Sequence, residues 1–397
     1  MLFTPERHER LRGEPFSEAA ARDAIARIAA RAERERDPAD GRWRLDADDA
    51  GDGPRFSNAL YWGAAGVAWA LDELAAEGYA PSTGVDRAFV EGLETRFAED
   101  TEDEPGVWWG VAGALAVAEH RWPDTSRRDR LLELASASLT SPTLEPMEGH
   151  PGYMTLAAQL HSRTGDERWA DFWAAGADRL LDEWRHDDEL GAWLWTQRLG
   201  SHATRYLGAA HGLAANVPVL IRNDLLDADR RNEVERRAVE TLTRLAVVED
   251  GRANWPTGAG DPLSIRGRIR VQWCHGAAGI LTAVADAAPD DDAWEKLLLA
   301  GGRLVWEAGP IRDTPGLCHG TAGNAYALLA LWRRTRDERW LERARAFAQH
   351  ARAQVDERAA RLGYGRHSLF TGDEGVALCL ASCITGDQRF PVVDRLI

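Results

Sequence analysis

Two cysteines occupy matching places in a repeated motif. Cys274 stands two residues before Gly276 and Cys318 two before Gly320, and histidines follow each, His275 and His319. Thiolate sulfur is a soft ligand, and two thiols with one imidazole suit Zn²⁺. Three protein ligands leave a fourth position open for substrate, which marks a catalytic zinc rather than a structural one. A thiol bound in that position loses its proton near neutral pH and becomes a nucleophile. The competing reading is buried core cysteine, because free cysteine is among the most buried residue types. Equivalent placement in successive motifs favours the metal. Cys379 and Cys383, spaced i, i+4 on an apolar run, read as core.

Other candidates surround this pair in the sequence. Arg266, Arg268 and Arg270 alternate along SIRGRIRVQW (264–273), so they could face one side together and bind an anionic substrate. A solvated face is the alternative for the first two. Glu145 and Glu148 have the residue types of a glycosidase carboxylate pair, although acids at a helix start also simply complement its dipole. His211 reads equally as a capping or core histidine. Trp273, beside Cys274, could wall a pocket.

The elements that must position these groups are repeats. The pattern is Gly-x-x-Gly followed by an apolar, helix-like run, in YWGAAGVAWAL (Gly63, Gly66), WWGVAGALAVA (Gly110, Gly113) and MEGHPGYMTLA (Gly149, Gly152). It continues in AAHGLAANVPVL (Gly212, with Ala215 as second member), WCHGAAGILTAV (Gly276, Gly279), LCHGTAGNAYALL (Gly320, Gly323) and LFTGDEGVALCLA (Gly372, Gly375). The first glycines lie 39 to 64 residues apart, room for two helices per repeat. Runs that are apolar all round suit helices buried on both sides, whereas DERWLERARAFAQHARAQ (337–354) carries one apolar stripe, Leu341, Ala344, Phe347 and Ala348, on a charged helix. These features predict an all-α chain, a double-layered (α/α)7 toroid or barrel of seven inner and seven outer helices. The motif turns then share one end, where exposed helix N–H groups would favour anions and lower thiol pKa values. Residues 55–397 form the predicted toroid. Residues 1–54 read as an N-terminal amphipathic helix (17–36) and an acidic loop, DADDAGDGP (46–54), packing on it. Strand signals are sparse, with only 264–273 alternating.

Composition narrows the function classes. With Asp and Glu at 64 against Lys and Arg at 48, the net charge is −16, a field that repels phosphate backbones and anionic lipid. Nucleic acid is therefore not an expected partner. No stretch approaches the ~18 uninterrupted apolar residues of a membrane span. The charged N-terminus, MLFTPERHER, lacks the apolar segment of a secretory signal, and four Cys in 397 residues make no disulfide framework. A reducing, cytoplasmic setting is the expectation.

The motifs GAAHG (208–212), WCHGAAGI (273–280) and GLCHGTAGNAYALL (316–329) resemble those of the lanthionine synthetase C-like (LanC-like) family, and SLFTGDEGVALCLASCITGDQRFP resembles its last repeat, especially in the stand-alone members. The resemblance spans roughly residues 55–397 and implies a barrel of seven helices inside seven. It implies zinc ligands at Cys274, Cys318 and His319, a proton-handling histidine at His211, and roles for Arg270 and for Glu145, where the lanthipeptide cyclases carry Asp. The cyclases carry Tyr where this chain has His275, as the LanC-like proteins do. His275 is then a second candidate proton donor or a rim contact.

What the resemblance implies chemically is addition of a thiol to dehydroalanine or dehydrobutyrine. The partners would be a thiol (glutathione or a peptide cysteine) and a peptide or protein carrying the dehydroamino acid. His211 would return the proton, since a histidine near its usual ~6.5 changes charge around neutral pH, and Arg270 would stabilise the developing enolate. A lanthipeptide cyclase, a non-catalytic thiol-binding protein and a carbohydrate-active α-barrel are the alternatives. The last needs paired carboxylates and no zinc.

Overall fold

In the computed structural model, which describes residues 1–53, 55–81, 85–99 and 105–397, the repeats become two concentric layers of helices. A short 3₁₀ turn (Pro5–Arg7), α1 (Glu18–Glu35) and the one-turn α2 (Ala47–Ala50) come first. Inner–outer pairs follow: α3 (Ala64–Ala76) with α4 (Arg87–Glu99), α5 (Val111–Arg121) with α6 (Thr125–Ser138), and α7 (His150–Thr164) with α8 (Glu167–Glu183). Next come α9 (Leu213–Ile221) with α10 (Ala228–Leu245), α11 (Ala277–Val284) with α12 (Asp292–Ala308), α13 (Thr321–Thr335) with α14 (Glu338–Leu362), and a last inner helix, α15 (Asp373–Thr385). Seven helices thus follow motif glycines, and α1, from before the first repeat, takes the seventh outer place.

The layers start differently because their surroundings differ. Outer helices α1, α6, α8, α10, α12 and α14 open on Ser17, Asp124, Asp166, Asp227, Asp291 and Asp337, whose side chains accept from the first-turn N–H groups. Each such cap is worth about 1 kcal/mol. Every inner helix opens on the first motif glycine with no side-chain cap. In α3, α13 and α15 a carbonyl of the preceding loop is the acceptor instead: Ala64 N donates to Ser57 O at 2.9 Å, Thr321 N to Thr314 O at 2.9 Å and Asp373 N to Arg366 O at 2.8 Å.

That returning loop explains the second glycine. A Cβ on Gly279 would lie 1.8 Å from Trp273 O, and one on Gly323 1.9 Å from Leu317 O. The obstacle is backbone, so no rotamer relieves it. Gly279→Ala is expected to cost about 2–3 kcal/mol of unfolding free energy, read by denaturant titration, and an unchanged midpoint would refute the packing role. Ala215 takes this place in the fourth repeat, where α9 is short and carries Pro218.

The ring closes at α15, which packs against α13, α14, α3 and α1. His367, just before α15, donates from Nδ1 to Glu374 Oε1 (2.8 Å) and from Nε2 to Glu35 Oε2 of α1 (2.9 Å). Burial opposes its charge, but the two carboxylates prevail and raise its pKa to about 10. The acidic loop at 46–54, featureless in sequence, is seated on the same region: Asp49 pairs with Arg366 at 2.5 Å and Asp46 pairs with Arg358. Pro54 lies outside the described residues.

Short antiparallel hairpins, unforeseen from the sequence, fill two connections: Arg185–Asp187 with Ala192–Leu194, Gln197–Leu199 with His202–Thr204, and Val247–Glu249 with Arg252–Asn254. The alternating segment 264–273 is not a strand. It makes a tight turn in which Ile265 and Arg268 exchange 3.0 Å backbone hydrogen bonds, with Arg266 (φ 51°) and Gly267 (φ 73°) at the tip. No described helix is long and apolar enough to cross a membrane.

Candidate functional site

The residues just before each first glycine form two concentric sets at one mouth of the barrel. Two places before it stand Tyr61, Trp108, Met147, Ala210, Cys274, Cys318 and Phe370, all buried. One place before it stand Trp62, Trp109, Glu148, His211, His275 and His319, all half-buried, and the buried Thr371. The first set plugs the mouth: Tyr61 stacks on Phe370 at 4.8 Å, and Trp108 packs on Phe370 at 4.7 Å and on Trp273 at 6.1 Å. Apart from Thr371, the second set is the more exposed of the two.

Cys274 and Cys318 meet because turns five and six are neighbours, with Cys274 N donating to Cys318 O at 3.0 Å. Their thiols are unoxidised and hydrogen-bonded to each other. The bond from Cys318 lowers the Cys274 thiol to about 7 against the effect of burial. Gln272 Nε2 adds a hydrogen bond to Cys274 Sγ at 2.9 Å, and the charges of His211 and Arg270 act in the same direction. Cys318 moves the other way, held protonated by its bond to Cys274 and by burial, while the Tyr61 hydroxyl donates to its sulfur.

His319 follows on the same turn, but its ring makes no hydrogen bond among the described residues and lies among the charges of Arg366, Asp49 and Arg7. Burial, ahead of those charges, lowers its pKa and favours the neutral ring. Among the described residues no three His, Cys, Asp or Glu side chains converge closely enough to hold a metal ion. The structure thus unites two members of the expected ligand set and leaves the third beside them.

Across the mouth, Glu145 and His211 come together. Glu145 is fully buried and its Oε2 lies 2.7 Å from His211 Nδ1. The same carboxylate accepts from Met147 N at 3.1 Å and Glu148 N at 2.6 Å, which fixes its orientation. Burial opposes a charge on His211, yet the hydrogen bond and charge of Glu145 outweigh it and raise the pKa. Glu145 is thereby committed to an ion pair rather than to a carboxylate pair with Glu148.

The remaining candidates line the opening. His275 packs edge-on against Tyr206 at 5.3 Å, its Nδ1 buried without a partner, and burial followed by the charges of Arg270 and His211 lowers its pKa to about 3. It is neutral at any physiological pH. Arg270 is half-buried and donates to Thr257 Oγ1 at 3.2 Å. The expectation of open helix N–H groups is corrected here, since the leading one of α11, from Ala277, is taken by Asn254 Oδ1 at 2.9 Å. Local charge comes from side chains instead. Sequence reasoning passed over Tyr61 and Gln272. Tyr61 carried a signal, for it precedes Gly63 as Cys274 precedes Gly276. Gln272 carried none.

A family model described as lanthionine synthetase C-like protein matches residues 54–395. LanC-like protein GCL1 of Arabidopsis thaliana is 35% identical over 197 residues, 48% of this chain and 43% of that protein. Glutathione S-transferase LANCL1 of Danio rerio is 32% identical over 199 residues, 47% of this chain and 45% of that protein. The matched stretches therefore span less than half of each relative. A solved structure of nisin cyclase superposes with a TM-score of 0.61 over 92% of this chain and 94% of that one at 16% identity, a likeness of fold.

Proposed function

The chain belongs to the lanthionine synthetase C-like family, and on that premise we propose that it adds a thiol across the double bond of dehydroalanine or dehydrobutyrine in a peptide or protein, in a zinc-dependent reaction. The observation that carries this reading is the pair of hydrogen-bonded thiols facing the His211–Glu145 pair at one barrel mouth. Two soft sulfurs with a neutral imidazole on the adjoining residue fit Zn²⁺. Cys274, Cys318 and His319 would hold it. Bound there, zinc would supply a charge that keeps a substrate thiol deprotonated near neutral pH.

The protein's own groups do the rest. The sulfur forms a bond to the β-carbon as the carbon–carbon π bond breaks, and negative charge moves onto the adjacent carbonyl oxygen. Arg270, half-buried and in no ion pair among the described residues, stabilises that charge. His211, kept protonated by Glu145, gives a proton to the α-carbon and is recharged by the proton the thiol lost. The aromatic plug of Tyr61, Trp108, Trp273 and Phe370 closes the barrel beneath and limits water around the charges. Neutral His275 walls the opening beside Tyr206. We read the setting as cytoplasmic.

Incubating the purified protein with glutathione and a dehydroalanine peptide should give a peptide heavier by one glutathione, detected by mass spectrometry well above the spontaneous rate. An intact peptide bearing a cysteine and a dehydroalanine, cyclised in preference to glutathione addition, would instead identify a cyclase. Thiol binding without either product would leave a binding protein.

A further inference from the structure

We infer that Gln272 is a positioning residue for the metal centre, whose side-chain amide donates to Cys274 sulfur, favours its thiolate and leaves more zinc charge for the substrate thiol. The inference rests on the zinc-dependent reading and adds a residue that is not itself a ligand. Gln272 is buried, and its Nε2 lies 2.9 Å from Cys274 Sγ. The other end of the amide settles which atom faces the sulfur. Gln272 Oε1 accepts from Arg7 Nη2 at 3.1 Å. A guanidinium only donates, so the oxygen faces Arg7 and the NH₂ group faces the sulfur. Both sides of this contact are held by backbone. Gln272 N donates to His275 O at 3.1 Å, bridging the turn that carries Cys274, and Arg7 O accepts from Arg312 N at 2.9 Å. Upstream of Arg7, Thr4 Oγ1 accepts from Ile269 N at 2.8 Å and the carbonyl of buried Leu2 accepts from Asn254 Nδ2 at 2.9 Å.

The chemistry of sulfur gives this contact its meaning. A neutral thiol is a weak acceptor, whereas a thiolate accepts a charge-assisted bond of roughly twice the strength. A buried amide N–H fixed on the sulfur therefore favours the thiolate, which is the form that binds a metal. The same bond draws electron density away from sulfur once a metal is held there. Zinc bound by such a sulfur is less neutralised by its own ligands and polarises a further thiol more strongly. Partners one bond out from the ligands commonly tune a metal in this way. The position is also specific in its chemistry: a carboxylate of the same length offers the sulfur only acceptors, and an aliphatic side chain offers nothing.

Metal binding and cobalt spectroscopy test this without any turnover. Chelator competition should show zinc held about 10–100-fold more weakly in Gln272→Leu than in the parent. With Co²⁺ in place of zinc, the sulfur-to-metal charge-transfer band should move to longer wavelength, because the sulfur electrons have lost their donor. Gln272→Glu keeps the length and the Arg7 contact, so a residue that merely fills space would leave it like the parent. It should instead match Gln272→Leu in both readouts. Unfolding of the metal-free variants at the parent midpoint shows that the turn is intact. Unmoved bands with unchanged zinc affinity, or a Gln272→Glu protein that behaves as the parent, would overturn the role of the amide. A parent that binds neither metal would sink the zinc reading and this inference with it. Bound metal with shifted bands but no thioether formed would leave the amide its role and sink the reaction.

Discussion

Replacing Cys274 or Cys318 with alanine is expected to take bound zinc from about one per chain to none and to lower thioether formation by more than ~100-fold, since even partners of zinc ligands typically cost 10–100-fold when lost. Both sulfurs pack in the buried core at the mouth, but a single sulfur lost from packing is too small a change to explain so large a loss of activity. Both sit at the edge of the barrel mouth, 8% and 5% exposed, in turns fixed by the Cys274 N to Cys318 O bond, which uses no side chain. Each substitution removes one half of a hydrogen-bonded thiol pair and leaves the other sulfur buried beside an apolar methyl. Chemical unfolding of the variants should therefore stay close to the parent while metal content collapses. His319→Ala should weaken the metal less completely, because two sulfurs remain. Elemental analysis giving the same zinc content in all three variants would remove the metal from this site.

The second large effect concerns the proton. His211→Gln should reduce kcat by roughly 10²–10⁴-fold, the usual worth of a positioned general acid, with little change in the binding of glutathione. Glu145→Gln tests the same step through pH. In the parent, His211 has a raised pKa, so its acid form persists above the ordinary histidine value and the rate falls only as pH climbs through the raised one. Without the Glu145 charge, burial becomes the dominant influence and favours the neutral ring. The alkaline fall in kcat/KM should then move to lower pH, while the rate at acid pH is partly kept. An unmoved alkaline limb in Glu145→Gln would assign proton delivery to another group.

Much of this architecture was legible because it repeats. Gly-x-x-Gly followed by a run without a polar face can only be a helix enclosed on all sides, and seven of them leave little choice but a ring. The register within the motif also carried information: Cys274 and Cys318 share one position, and His211, His275 and His319 the next. The rest was illegible for a physical reason. Arg7 and Gln272 meet across 265 residues of chain, and no local periodicity records such a meeting. The short hairpins carry too few residues for an alternation to register. The arginines of 264–273 alternate as a strand would, yet the positive φ values at Arg266 and Gly267 turn the chain back on itself. Open N–H groups at the inner helices were the wrong inference because their acceptors are loop carbonyls, which carry no side-chain signature, or in α11 the side chain of Asn254, 23 residues before Ala277.

The closure of α15 onto α3 and α1 has a consequence for how the molecule comes apart. An open solenoid frays from its ends, losing units one at a time, since each touches only its neighbours. Here the first and last units are neighbours, and the Glu35–His367–Glu374 bridge fastens them. No unit is terminal, so none can peel away without breaking two interfaces at once. Partial unfolding is penalised, and the thiols at the mouth keep their spacing until the whole ring gives way.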